Sequence, residues 1–491
     1  MTLRTPPDTS ARPTSRRLPV DPERWPDVAR LPRASALRTA IARGLVTRAL
    51  SRMPLRVRHG DGHPSVPRPG RPGPDSTVSG SPVSGSTVSG STVSGSTVSG
   101  SPGLGSLGPT SPEPAIPGLR SLGPDSPESG APTLTLHDPA AFHRRIGADG
   151  LIGFGESYMA GEWDSDDLVG LLTVLAAHVD DLVPAPLRRL RGLWAHRRPH
   201  GDRSTLEGAR DNIQRHYDLS NELFALFLDR SLTYSSAVFD TLPGTPDALT
   251  AAQHTKIDRL LDLAGVGPGT RLLEIGTGWG ELAVRAAARG ADVLTITLSE
   301  EQRDLALRRI ADAGAAGRAT VELCDYREVE GRYDAVVSVE MIEAVGAEFW
   351  PAYFTALRRL LAPGGTVALQ AITMPHERML ATARTHTWIS KYVFPGGLIP
   401  SPDAIARESA AAGLTITQDD GFGAHYAETL RLWRERFVSD PDAVDALGFD
   451  RTFRRMWELY LAYSEAGFRS RYLDVRQLRL VAAGPDEEGT P

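Results

Sequence analysis

The segment Leu272-Leu273-Glu274-Ile275-Gly276-Thr277-Gly278-Trp279-Gly280 constrains the fold of this chain more than any other. An apolar run of strand length ends in three alternating glycines, and a helical stretch opens at Glu281. Glycines in that rhythm let the backbone turn sharply and bring its N–H groups close to a ligand. The spacing is not the GxGxxG of dinucleotide-binding turns, and no Lys-Ser/Thr follows to make a phosphate loop. An acidic residue ahead of three alternating glycines is the signature of an S-adenosylmethionine site. On this reading Glu274, Gly276, Gly278 and Gly280 hold that cofactor.

The flanking text has the matching pattern. Strands are predicted at Arg271–Ile275, Asp292–Thr297, Thr320–Cys324, Ala335–Val339 and Thr366–Ile372, with helices at Glu281–Arg289, Glu300–Ala313 and Phe349–Leu361 between them. Near-continuously apolar strands alternating with helices predict an α/β fold, a parallel sheet covered on both faces and Rossmann-like in its winding. The second strand ends in Thr297-Leu298-Ser299 with Gln302 following, where such folds contact ribose. The third ends in Cys324-Asp325-Tyr326, where an acid can accept the adenine amino hydrogens; taken alone, Asp325 reads equally well as a loop carboxylate. These segments in register predict a class I methyltransferase domain over residues 205–483. The aromatic-rich helical stretches Tyr426–Phe437 and Phe449–Phe468 are expected to cap it.

Ahead of this lies a different kind of text. Residues 76–100 are five near-copies of a pentad (STVSG, once SPVSG) inside a Ser/Gly/Pro-rich stretch from about 60 to 132. Such composition cannot bury enough apolar area to offset its ordering entropy, so it is expected to be disordered. Leu55–Arg58 and Thr133–His137 alternate like half-buried strands and are expected to pair as a swollen hairpin within a small α+β domain spanning 22–190. That domain would add helices at 34–52, Asp138–Ile146 and Asp166–Val183 around a turn-rich Ile152–Trp163, with tails at 1–21 and 484–491. Pro186–His200 is arginine-dense with interleaved Leu187, Leu190, Leu193 and Trp194, either a solvated helix or one lying on anionic lipid.

Composition narrows the functional classes. Of 491 residues, 54 Lys+Arg stand against 60 Asp+Glu, a net charge of −6 that argues against a general nucleic-acid binder. One cysteine, Cys324, excludes an internal disulfide framework and any cysteine-based zinc site, and no metal site is expected. No run approaches the ~18 apolar residues of a membrane span. The opening MTLRTPPDTSARPTSRR lacks the apolar core of a secretory signal, so a cytoplasmic setting is expected.

Several longer motifs then point one way: Gly155-Glu156-Ser157-Tyr158-Met159; Asn212-Ile213 with His216-Tyr217-Asp218-Leu219-Ser220-Asn221; Leu232-Thr233-Tyr234-Ser235-Ser236-Ala237; Phe394-Pro395-Gly396-Gly397; and Tyr460 through Phe468. Together they resemble the cyclopropane-fatty-acyl-phospholipid synthase and mycolic acid cyclopropane synthase family, over about residues 22–60 and 131–483. The resemblance implies delivery of a methyl group to the cis double bond of a phospholipid acyl chain, by an enzyme peripheral on the inner face of the cell membrane. It implies that Tyr234 and Ser235 join the glycine turn and Thr297, Leu298 and Gln302 around the cofactor. It also implies a bicarbonate base whose ligands correspond to Glu343, Gln370, Ile372 through its backbone, Tyr426 and Ser464.

The chain departs from that pattern. It carries Glu343-Ala344 where Glu-His is usual, Gln370-Ala371-Ile372 where His-Thr-Ile is usual, and Ser464 in place of a cysteine. An extra carboxylate, Glu340, stands three residues before Glu343, a spacing that predicts one shared helical face. A second carboxylate would repel bicarbonate. The altered set resembles the actinobacterial branch that makes 10-methylene and, with a flavin-dependent reductase, 10-methyl fatty acids. Taken without the resemblance, Glu340 and Glu343 read as a pair complementing a helix dipole, Gln370 as a core amide, Tyr426 as a packing residue, and His216 and Tyr217 as either pocket lining or structure. The alternatives are ring formation, a small-molecule methyltransferase and a non-catalytic lipid-binding homologue.

Overall fold

The computed structural model describes residues 20–60, 130–179, 220–383 and 385–483. The pentad repeats, the tails at 1–19 and 484–491, Asn212 through Leu219 with His216 and Tyr217, the arginine-dense Pro186–His200 and the join between the two expected domains lie outside them.

A seven-stranded sheet runs in the order β6-β5-β4-β7-β8-β10-β9. Its strands are β4 (Arg271–Ile275), β5 (Asp292–Thr297), β6 (Ala319–Leu323), β7 (Tyr333–Val339), β8 (Leu361–Thr373), β9 (Leu414–Gly421) and β10 (Asp474–Ala482). Alternation along each strand feeds two apolar cores. Leu272, Val293, Ala335 and Ala368 pack under the helices Leu249–Leu263, Glu281–Ala288 and Glu300–Asp312. Leu273, Ile296, Val336 and Leu369 enter the larger core shared with the C-terminal helices Gly423–Ser439 and Arg451–Arg469. The α/β class stands.

The sheet is not wholly parallel, however. β10 pairs antiparallel with both β8 and β9. The helix Arg451–Arg469 delivers the chain at the end where β8 finishes, with Asp474 opposite Thr373, so β10 can only run back.

The N-terminal elements form a second sheet of order β1-β2-β3, from β1 (Arg56–His59), β2 (Thr133–Leu136) and β3 (Trp163–Ser165). β1 and β2 do pair, but in parallel register, Arg56 with Thr133 through His59 with Leu136. A hairpin is therefore excluded, and the chain between them makes a crossover. The expected turns at Ile152–Trp163 are a helix, Leu151–Met159, running on to β3. Its glycines serve close packing: a Cβ on Gly153 would sit 2.2 Å from the Arg145 carbonyl oxygen, and one on Gly155 2.3 Å from Trp388 Cδ1.

That helix carries Glu156, 2 % exposed, which accepts from Lys391 Nζ at 2.6 Å and from the Tyr392 hydroxyl at 2.8 Å. Lys391 also pairs with Asp27 at 2.7 Å, and Arg145 holds Glu162 with Nε, 3.0 and 3.1 Å from its two oxygens. The bonds of Lys391 and Tyr392, to buried Glu156 and to the more exposed Asp27, fasten the N-terminal elements to the helix Trp388–Tyr392, while the buried Arg145–Glu162 pair ties the N-terminal elements to one another. That helix leads straight into Phe394-Pro395-Gly396-Gly397, whose successor Leu398 donates its N–H to the Glu343 carbonyl at 2.7 Å.

Candidate active site

The turn after β4 is left-handed at every glycine, with φ of +100° at Gly276, +53° at Gly278 and +89° at Gly280, conformations costly to any residue with a Cβ. Space differs among the three. A Cβ on Gly280 would lie 3.1 Å from that of Ala306 and one on Gly276 3.2 Å from Met341 Cγ, whereas one on Gly278 would meet nothing within 4 Å. Glu274, on β4 beneath the turn, is 3 % exposed, and its Oε2 has no partner. Burial pushes its carboxyl up to about 8, against the pull of the Thr295 hydroxyl and the Lys256 ammonium.

At the end of β5 the Thr297 hydroxyl donates to Gln302 Oε1 at 2.9 Å and accepts the Ser299 N–H at 3.1 Å, while Leu298 between them is half-buried. After β6, Asp325 is buried and clamped by Arg327, whose Nε and Nη2 reach its two oxygens at 2.7 Å each. Its carboxylate is thus already doubly engaged. Tyr326 packs edge-on against Tyr353, and burial pushes its hydroxyl up to about 12.

Tyr234 joins hydroxyls with Tyr460 at 2.7 Å. Ser235 turns inward: its Oγ accepts from Lys256 Nζ at 2.6 Å, and its carbonyl accepts from Gln253 Nε2 at 2.8 Å. Lys256 is 1 % exposed, and burial draws its ammonium down to about 8 although Glu340, Asp229 and Glu274 oppose the shift.

Glu340 and Glu343 do not share a helical face. Glu340 precedes the short helix Ile342–Val345 and stands in the left-handed region, with φ +51°. A glutamate there is strained, and the strain is held by partners. Glu340 Oε1 accepts from the Ser236 N–H at 3.0 Å and from Gln370 Nε2 at 2.8 Å; Oε2 accepts from the Tyr426 hydroxyl at 2.7 Å. Its own N–H donates to the Gln370 carbonyl at 2.8 Å. Gln370 is oriented in turn by Gln477 Nε2, which donates to its Oε1 at 3.0 Å. Glu343 accepts the Ile372 N–H on Oε1, while its Oε2 is buried without a partner. Burial, followed by repulsion from Glu340, lifts the Glu343 carboxyl to about 8; burial raises that of Glu340 against its three donors and Lys256. Ser464 lies half-buried on Arg451–Arg469, and no hydrogen bond joins it to this set.

Aromatic rings border the carboxylates on one side. Tyr426 packs tilted against Phe468, ring centroids 4.6 Å apart, and meets Trp433 edge-on; Trp433 reaches Tyr234, and Tyr460 meets Phe394. Gln477 and the inward Lys256 were not singled out from the sequence, and Ser236 appeared there only within a longer motif. Lys256 left one signal, as one of two lysines in an arginine-based chain, set among apolar helix positions.

Comparison with known proteins identifies the family. Residues 204–478 match the family model described as mycolic acid cyclopropane synthetase. The tuberculostearic acid methyltransferase UfaA1 of Mycobacterium tuberculosis is 49% identical over 95% of this chain and 97% of its own length. The cyclopropane-fatty-acyl-phospholipid synthase of Escherichia coli strain K12 is 32% identical over 69% of this chain and 85% of its own. Among solved structures, the mycolic acid cyclopropane synthase CmaA1 complexed with SAH and CTAB is similar at TM-score 0.51 and 31% identity, covering 58% of this chain and 98% of that one. The cyclopropane synthase MmaA2 from Mycobacterium tuberculosis gives TM-score 0.51 at 30% identity over the same shares.

Proposed function

The chain belongs to the mycolic acid cyclopropane synthetase family, as an S-adenosylmethionine-dependent enzyme that modifies unsaturated lipid chains, and from that premise we propose that its product is a 10-methylene acyl chain made on an oleoyl phospholipid. The observation carrying the proposal is the division of labour between two carboxylates. Glu340 takes the Tyr426 hydroxyl and the Gln370 amide, and Glu343 takes the Ile372 N–H, so three of the four donors that the family resemblance assigns to bicarbonate, all but Ser464, are spent on protein side chains. Of the four oxygens of this carboxylate pair, Glu343 Oε2 is the one without a donor among the described residues.

The glycine turn fits the cofactor. A residue with no neighbour for its Cβ at Gly278 and an unpartnered buried oxygen on Glu274 suit a ligand that approaches the backbone and carries an ammonium. Gly276, Gly278, Gly280 and Glu274 would hold its amino-acid end, Thr297, Leu298 and Gln302 its ribose, and Asp325 and Tyr326 its adenine, with Tyr234 and Ser235 closing over it. When bound, it supplies an electrophilic methyl group.

Methylation of a cis double bond leaves a cation on the neighbouring carbon. The aromatic faces of Tyr426, Trp433 and Tyr234 shield that charge from water and stabilise it. A hydride shift moves the cation to the methyl-bearing carbon. Glu343 Oε2 then removes a proton from the new methyl group, and the C–H electrons form the exocyclic double bond. Glu340, fixed by three donors, lowers the energy of the cation and raises the proton affinity of Glu343.

Reduction of the methylene to a methyl branch requires a hydride donor, which we assign to a separate flavin-dependent reductase; the glycine spacing here is not the dinucleotide type. Among the described residues no helix is long and apolar enough to cross a membrane. We place the enzyme as a peripheral protein on the cytoplasmic face of the cell membrane, where its acyl substrate lies. Expression in an oleate-rich host followed by gas chromatography of the fatty acids tests the proposal. A mainly methylene product is expected, and a mainly cyclopropane product overturns it.

A further inference from the structure

The charge of this chain is unevenly spread. Although the whole is acidic, the text from Arg30 to Arg58 holds eight arginines and no aspartate or glutamate. Most of that stretch is the helix Ala36–Leu50, which turns Ala42, Ala49 and Leu50 into the protein. Among the described residues its opposite stripe is unpartnered. Leu37 and Ile41, one turn apart, are 70% and 51% exposed, and a Cβ on Gly44 in the same stripe would meet nothing within 4 Å. Arg48 falls in that stripe and Arg38 on its flank, both exposed and neither in an ion pair among the described residues.

We propose that this face of Ala36–Leu50 is a docking surface for an anionic lipid bilayer, with Leu37 and Ile41 entering the acyl boundary and Arg38 and Arg48 meeting lipid phosphates. Two aliphatic side chains left in water beside exposed arginines suit a shallow, charge-assisted contact with an anionic surface rather than burial of a whole amphipathic face. The other occupants fit less well. A second copy of the chain would set arginine against arginine, which opposes association. A nucleic acid would use the arginines and leave Leu37 and Ile41 without a role. The proposal rests on the lipid-modifying reading above and adds the surface by which the enzyme reaches its substrate.

The test compares the full chain with two double variants, Leu37→Glu/Ile41→Glu and Arg38→Gln/Arg48→Gln. Binding is read by cosedimentation with vesicles of equal parts oleoyl phosphatidylglycerol and phosphatidylcholine. Turnover is read separately on the same phospholipid dispersed in detergent. Each variant is expected to lose about tenfold or more in vesicle affinity, with melting temperature and turnover on dispersed lipid unchanged. Added salt should reproduce the arginine effect. Unaltered vesicle binding by the folded Leu37→Glu/Ile41→Glu variant overturns the proposal, as does its conversion of a dimer to a monomer with vesicle binding intact. So does transfer RNA displacing vesicles from the wild type but not from the arginine variant. Failure of the wild type on dispersed lipid would count against the proposed reaction, while leaving the docking result readable.

Discussion

Glu343 receives the Ile372 N–H on one carboxylate oxygen and keeps the other buried and without a partner. Half of its acceptor capacity fixes the side chain, and the other half is left for chemistry. Burial and the neighbouring Glu340 lift its proton affinity to about 8, into the range where a base can be reloaded at each turnover.

Glu343→Gln keeps an acceptor for the Ile372 N–H and removes the base. Turnover is expected to vanish while S-adenosylmethionine binding, measured by calorimetry, stays within about threefold of wild type. In the wild type, the base works only when ionised, so turnover should rise with pH and level off above about 8. A flat profile from pH 6 to 9 would contradict the role of Glu343.

The three donors on Glu340 make a double replacement informative. Glu340→Gly with Gln370→His removes the internal anion and restores an imidazole, and part of the product should move to the cyclopropane when bicarbonate is supplied. Wild-type turnover should be indifferent to bicarbonate. Tyr426→Phe leaves Glu340 Oε2 without its donor at a cost of roughly 1–3 kcal/mol, readable as a lower denaturation midpoint.

Gly278→Val should fold. Its Cβ has no neighbour within 4 Å, so the cost is that of a branched residue at φ +53°, about 1–2 kcal/mol. Cofactor binding should be lost, because the new side chain occupies the approach to the turn. Wild-type affinity would remove the turn from the cofactor site.

Glu274 titrates near 8 in the folded chain and at the ordinary carboxylate value when unfolded. The folded state therefore holds the extra proton between those two values, and stability falls as pH rises across that window. Glu274→Gln should flatten the decline in melting temperature between pH 5 and 8. An unchanged slope would mean that Glu274 is ionised in the fold. Lys256, drawn down to about 8, acts in the opposite sense between 8 and its unfolded value, where stability gains with pH.

Excising residues 76–100 should leave melting temperature and turnover essentially unchanged, since loop closure depends only weakly on length. A large loss in either would give the repeats a structural role.

Much of the architecture was legible where local pattern and tertiary need agree. β4 and β5 were read to the residue because each is a short apolar run with a sharp stop, at Gly276 and Ser299. β9 and β10 were missed. Leu414–Gly421 ends in Gln418-Asp419-Asp420, polar because it forms the sheet edge, and Asp474–Ala482 carries arginines within an alternating run after a long helix. Glycines misled at Leu151–Met159, where they admit Arg145 and Trp388 rather than make a turn. At the site, residue types pointed to Glu340, Glu343, Gln370 and Tyr426, but the spacing argument that joined the first two was mistaken. Glu340 reaches Tyr426 and Gln370 from a left-handed bend, a conformation that residue spacing does not encode. Gln477 lies over a hundred positions from the amide it orients, and only the sheet brings the two together.

The parallel pairing of β1 with β2 has a consequence for what this scaffold can carry. The chain leaves one end of the small sheet after His59 and must re-enter at the other end before Thr133, roughly 13 Å away along four residues of strand. A tight turn cannot make that return. A folded passenger can, provided its termini stand at least that far apart. The position therefore works as a cargo port: a fluorescent reporter or an affinity module grafted between His59 and Thr133 would satisfy the crossover, while a protein with adjoining termini would need spacers at both junctions.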